Sequence, residues 1–136
     1  MRIRAAGILI QNNSIALMHR IKNGKEYYVI PGGGVEENET TEEATIREIK
    51  EEVGIDVKVI KKMYEYKDEK SSQLFYLVEQ TGGVFGTGEG PEFITPNSNK
   101  GYYHMEMISF EDISKINLVP EEIKIKLIED IKLNRV

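Results

Sequence analysis

Three glutamates, Glu48, Glu51 and Glu52, stand at i, i+3 and i+4 in the stretch GGVEENETTEEATIREIKEEVGI that begins at Gly33. On a helix that spacing brings side chains from successive turns together, so the three carboxylates can converge on one point. Like charges placed this way repel, by roughly 0.2–0.5 kcal/mol per pair. They also occupy the C-terminal half, where the helix dipole disfavours anions. A bound divalent cation removes both penalties, and an oxygen-only donor set without Cys or His favours Mg2+ or Mn2+ over Zn2+. Upstream, Pro31-Gly-Gly-Gly34 permits close backbone approach, so its carbonyls and amides can meet a metal or a phosphate. The alternative is a solvated acidic helix face preceded by an ordinary tight turn.

Outside this segment the chemistry-bearing residues are sparse. His19 and His104 have no partner in sequence and read as structural. No Ser–His–Asp or Cys–His arrangement is visible, so no covalent nucleophile is expected. The pairs Tyr27–Tyr28 and Tyr102–Tyr103 can stack a base. They can equally divide, one ring in the core and one at the surface.

The acidic segment needs elements that hold it. Thr40 caps a helix over Thr41–Val53, Glu43 completes a capping box, and Gly54 supplies the left-handed residue that closes it. At ~100° per residue, Ile46, Ile49 and Val53 form the buried stripe, with Glu48 and Glu51 on nearly the opposite side. Strands are expected over Ile3–Ile10, Ser14–Arg20, Glu26–Ile30, Val57–Tyr66, Gln73–Glu79 and Tyr102–Phe110. Residues 11–13 form a turn, Ile21–Lys25 a polar loop, and Pro31–Gly34 ends the third strand. Residues 80–100 hold five Gly and two Pro and read as a long loop. After Pro120 comes an amphipathic helix carrying Ile123, Ile125, Leu127, Ile128 and Ile131. Strands, helix, strands, helix with hairpin-like links describe an α/β (α+β) sandwich with a mixed sheet, not a regular βαβ winding.

The chain has 136 residues, 40% of them hydrophobic and 30% charged, which suits a single globular domain over 1–136. The net charge of −5 argues against a generic grip on nucleic acid polymers or an anionic membrane. An anionic substrate would need a local reversal of field, for which a divalent cation is the obvious means. The absence of cysteine and of a recognisable targeting segment makes the cytoplasm the expected location.

The acidic segment resembles the box of the Nudix hydrolases, G-x5-E-x7-R-E-U-x-E-E-x-G-U, where U is a bulky aliphatic residue. Gly33, Glu39, Arg47, Glu48, Ile49, Glu51, Glu52, Gly54 and Ile55 fill every fixed position. The resemblance implies an α/β/α sandwich with a mixed sheet between helices, and hydrolysis of a nucleoside diphosphate linked to another moiety with Mg2+ or Mn2+. Glu48, Glu51 and Glu52 would be metal ligands or water-activating carboxylates, with a carbonyl around Gly32–Gly33 completing the metal site. Glu39 and Arg47 would brace loop against helix. A further glutamate from a downstream loop would be Glu89 or, as a second candidate, Glu92. Arg20 falls where such folds often face phosphate or base, and Asn117 is similar to a base-contacting asparagine of the mutator-type triphosphate pyrophosphohydrolases. The compact chain leans toward a nucleoside triphosphate cut to monophosphate and pyrophosphate. An ADP-ribose or nucleotide-sugar pyrophosphatase stays open, as does a non-catalytic nucleotide sensor, and a homodimer is common in the family.

Overall fold

Asn12 and Asn13 both take positive φ (52° and 58°) and fold the chain back between β1 (Arg2–Gln11) and β2 (Ser14–Lys22). Paired left-handed residues of this kind make the tight hairpin turn that matches strand twist. The computed structural model describes residues 2–86 and 101–136. A second such turn, Asn23-Gly24, links β2 to β3 (Lys25–Val29), with Lys22 opposite Lys25. The stretch expected as a polar loop over Ile21–Lys25 is therefore mostly ladder, because Asn-Gly closes a hairpin in two residues.

Pro31 does not simply end the third strand. Gly32–Gly34 form a short strand, β4, antiparallel to β1. Helix α1 (Thr41–Val53) follows, then the long hairpin of β5 (Ile55–Lys67) and β6 (Ser71–Gly83). Asp68 Oδ1 makes that hairpin's turn by accepting from the Lys70 and Ser71 amides, each at 2.8 Å. After β7 (Tyr102–Ser109) come a 3-10 turn over Phe110–Lys115, the two-residue β8 (Leu118–Val119) and helix α2 (Glu121–Lys132).

The sheet runs β5-β6-β1-β2-β3-β8, with β4 paired to β1 and β7 to β2. It is mixed: β1 lies parallel to β6 and antiparallel to β2 and β4. The β1–β2 ladder holds only beside the turn, at Ile10↔Ile15 and Gln11↔Ser14. Further back, the edge of β1 near Arg4–Ala6 takes β4 instead. The sheet thus parts between β1 and β2, and the glycine strand enters beside the parting.

Both faces are covered, which explains the unbroken apolar run Ala5–Leu9 on β1. Ala6 and Ile8 pack with Leu17, Phe75, Ile123 and Leu127 under α2. Leu9 packs on the other face with Met18, Val78, Ile49 and Val53 under α1. The buried face of α1 is Ala44, Thr45, Ile49 and Val53. Ile46, expected in the stripe, is exposed, so the stripe is rotated from the one drawn from aliphatic residues alone. Thr45 belongs to it because its hydroxyl is satisfied by the Thr41 carbonyl at 2.9 Å, leaving its methyl to pack toward Gly7. In α2, Ile125 likewise faces outward.

This orientation separates two mutants. Ile49→Ala should cost about 2–5 kcal/mol in denaturant unfolding, the range for emptying a buried aliphatic site. Ile46→Ala should stay within about 0.5 kcal/mol, as a surface change does. Equal losses would restore the expected stripe.

Candidate active site

The box helix is held at both ends. Thr40 Oγ1 accepts from the Glu43 amide at 3.0 Å, and Glu43 Oε1 accepts from the Thr40 amide at 2.8 Å. Gly54, at φ 89°, ends the helix by donating to the Ile49 and Lys50 carbonyls. These limits place Glu48, Glu51 and Glu52 in the last turns, beside β4.

The rotation seen in the fold changes where the carboxylates point. Glu48 was expected nearly opposite the buried stripe, yet its side chain is only 14% exposed. Its carboxylate lies against Gly33: a Cβ built there would sit 2.5 Å from the Glu48 carboxyl carbon. A methyl there would have to push the Glu48 carboxylate from its place. Gly32 is the stricter position, since its Cβ would meet the Ala5 carbonyl oxygen at 2.2 Å, on backbone that cannot move aside.

Arg47 ties this region together. Its Nε and Nη2 donate to Glu39 Oε2 and Oε1 at 2.8 and 3.0 Å. Nη2 also donates to the Gly34 carbonyl at 3.0 Å, and Nη1 to Glu48 Oε1 at 2.8 Å. Glu51 Oε2 lies 3.5 Å from Nη1, on a more exposed side chain. The Arg47 hydrogen bond, with help from the Glu36 amide, holds the Glu39 carboxyl at about 2. Hydrogen bonding to Glu39 in turn drives Arg47 well above its ordinary value.

The three box glutamates are not gathered. Glu48 and Glu51 turn to Arg47, whereas half-buried Glu52 on α1 is near enough to Arg4 on β1 to raise its affinity for the proton. Among the described residues no three His, Cys, Asp or Glu side chains form a ready cage for a metal. Glu89 and Glu92 lie outside the described residues.

Arg20 stands on β2 opposite Tyr27 and Tyr103. Its guanidinium carbon is 4.2 Å from the Tyr103 ring centre and 5.5 Å from that of Tyr27, and Nη2 donates to the Tyr103 hydroxyl. Asn117 is exposed; its side-chain amide donates to the Glu26 carbonyl at 3.3 Å, and its own carbonyl accepts from the Tyr28 amide. His19 holds Glu106 at Nδ1 (2.5 Å) and Glu26 at Nε2 (2.7 Å), with Tyr28 stacked on its ring, and so ties β2 to both neighbours. One residue escaped the sequence reading. Arg4, on β1, donates to the Ile30 carbonyl at 2.7 Å and lines a cavity together with Arg20. Its basic character was visible, but nothing in the sequence tells which edge of β1 it reaches across.

Comparison with known proteins decides the family, since the NUDIX domain matches residues 1–126. The chain belongs to the Nudix family. It is 50% identical over 54 residues to the ADP-ribose pyrophosphatase of Methanocaldococcus jannaschii, covering 39% of this chain and 32% of that one. It is 41% identical over 56 residues to the 8-oxo-dGTP diphosphatase of Proteus vulgaris, covering 39% and 50%. The matched stretch is thus half or less of either relative's length. Among solved structures, a Nudix-family hydrolase from Clostridium perfringens shares the fold with a TM-score of 0.72 at 19% identity, covering 97% of each chain. A Nudix hydrolase from Nitrosomonas europaea gives 0.74 at 16% identity, covering 96% of this chain and 70% of that one. The mixed sheet between helices is the Nudix fold.

Nudix hydrolases generally use a divalent metal ion. The donors beside β4 fit a hard cation in kind: carboxylate oxygens and backbone carbonyls, with Glu48 lodged in a cradle that a Cβ would fill.

The Arg47–Glu39 pair carries a pH signature. A glutamate in an unfolded chain titrates near ~4.3. Folding lowers the Glu39 value to about 2. The pair therefore adds stability above ~4.3 and loses it as pH falls toward 2. Unfolding of wild type and Glu39→Gln, compared stepwise from about pH 5 down to about 2, should show a stability gap that closes on acidification. A gap independent of pH would assign the difference to something other than the ionised pair.

Proposed function

We propose that this chain is a metal-dependent pyrophosphohydrolase cleaving a nucleoside diphosphate linked to another group. The leading substrate is a nucleoside triphosphate, cut to the monophosphate and pyrophosphate. The observation that carries this reading is Glu48 lodged against Gly33 and fixed there by Arg47, which is itself locked by Glu39. Such rigidity serves a site that must hold carboxylates at a set place while charge develops on phosphate.

The residues that would hold Mg2+ or Mn2+ are Glu48, Glu51, Glu52 and the Gly33 carbonyl; bound there, the ion neutralises phosphate charge and makes a coordinated water more acidic. Each residue then has a task. A box carboxylate accepts the proton from the attacking water as oxygen bonds to phosphorus and the phosphoanhydride P–O bond breaks. Pyrophosphate leaves with the bond's electron pair, and no phosphoenzyme forms. Arg47 positions Glu48 without touching substrate. Arg20 faces the nucleotide. We infer a cytoplasmic location from the cysteine-free composition.

A second reading is hydrolysis of ADP-ribose or a nucleotide sugar. The 50% identity with an ADP-ribose pyrophosphatase over 54 residues favours it.

A substrate panel with Mg2+ and Mn2+ separates the two. Triphosphates should release pyrophosphate, and Glu52→Gln should lower kcat by about 10²–10⁴-fold, the usual contribution of a positioned acid or base. Release of AMP from ADP-ribose with triphosphates untouched would establish the second reading. Full turnover by Glu52→Gln would remove Glu52 from the chemistry.

A further inference from the structure

The three residues of β4 are all glycine. A strand without side chains has nothing to pack and much backbone freedom to lose, so hydrogen bonds must set its place. The ladder to β1 supplies some of them, at Arg4↔Gly34, Ala5↔Gly33 and Ala6↔Gly32. The exit of the strand is held by Arg47, whose Nη2 donates to the Gly34 carbonyl at 3.0 Å. The entry is the joint Ile30–Pro31, where the chain has left β3. Pro31 has no amide hydrogen to give. The joint is tied to β1 through its two carbonyls instead. Pro31 accepts from the Gly7 amide at 2.9 Å, and Ile30 accepts from Arg4 Nη2 at 2.7 Å. The second bond is charge-assisted, which is the stronger kind.

Arg4 is half-buried on β1, with β4 beside it at Gly34 and β6 at Gln73. Its Nη1 reaches Gln73 Oε1 at 3.4 Å, a weak brace on that side. Among the charged groups acting on it Glu52 comes first and Glu48 is another, so its guanidinium stands near the box carboxylates. The cavity that Arg4 lines with Arg20 also holds Asp68, so charge alone does not mark Arg4 as a contact for an anion. Its shortest bond goes to backbone, at the entry of β4.

We propose that Arg4 is a positioning residue of the metal site: it clamps the entry of β4 through the Ile30 carbonyl, as Arg47 clamps the exit through Gly34, and so sets where the Gly33 carbonyl meets the cation. The inference rests on the metal-dependent reading above, in which that carbonyl is a ligand. Partners standing behind metal ligands are worth about 10–100-fold in metal affinity. Charge by itself predicts the opposite sign. Removing a cation near Glu52 and Glu48 strengthens their hold on a metal ion, whereas releasing the β4 entry weakens it.

The test is Mn2+ binding to the full chain, read from the loss of the free-ion EPR signal, so that no turnover is needed. Arg4→Met should bind Mn2+ about tenfold more weakly, at the low end of that range. Arg4→Lys keeps the charge but puts one ammonium in place of the fork, and should bind about threefold more weakly. Because it retains a donor and a charge, it also serves as the test if the methionine variant does not fold. Mn2+ affinity unchanged or tighter in the folded variants would overturn the proposal. So would a raised nucleotide KM with Mn2+ affinity intact, which would make Arg4 a substrate contact. Wild type that binds no Mn2+ at millimolar metal overturns it as well. Hydrolysis separates this from the function itself. A chain that cuts nucleotides with a Mn2+ affinity independent of Arg4 sinks the positioning role and leaves the pyrophosphohydrolase standing. Mn2+ binding that follows Arg4 in a chain that hydrolyses nothing does the reverse.

Discussion

One guanidinium holds the candidate site in shape. Arg47 reaches from α1 to Glu39 in the loop before the helix, to the Gly34 carbonyl on β4, and to Glu48 on its own helix. A lone carboxylate as partly buried as Glu48 would be costly, and so would a lone partly buried cation. Each is tolerable because the other is present, and Glu39 anchors both with two parallel hydrogen bonds. Remove that fork and β4, the loop and the last turns of α1 lose their common point of attachment.

The arrangement uses close approaches at glycine, the strictest at Gly32 against the β1 backbone. Gly33 lets the Glu48 carboxylate lie against the backbone, and Gly32 lets β4 settle on β1 at Ala5 and Ala6. On the other side of β1, Gly7 leaves room for Ile49, whose contact seats the helix on the sheet. Helix, strand and loop are thus registered by three missing side chains and one arginine. None of this depends on large hydrophobic area at the site itself, which is left to the two cores on either face of the sheet.

Electrostatics divides the molecule. The chain as a whole is acidic, with a charge of −5. The cavity beside β1 and β2 nevertheless gathers Arg4 and Arg20, with Asp68 also on its wall. Burial lowers Arg4 below its ordinary value, and Glu52 pulls it back.

Much of this was legible in the chain. Thr40, Glu43 and Gly54 determine the helix by local chemistry, because caps depend on neighbours a few residues away. The nine filled positions from Gly33 to Ile55 resemble the Nudix box, and the NUDIX domain match agrees. What lay beyond reach were facts that depend on partners far along the chain. Ile46 is exposed and Thr45 buried because the sheet chooses the helix face, and a threonine can bond its hydroxyl to its own helix. The glycine run became a strand because β1 leaves β2 after two pairs and opens an edge. Arg4 and Arg20 meet for the same reason: strand pairing, not sequence distance, set them around one cavity. Local hydrogen-bonding and periodicity are written in neighbouring residues, whereas the facing of one element on another is decided only when all of them pack.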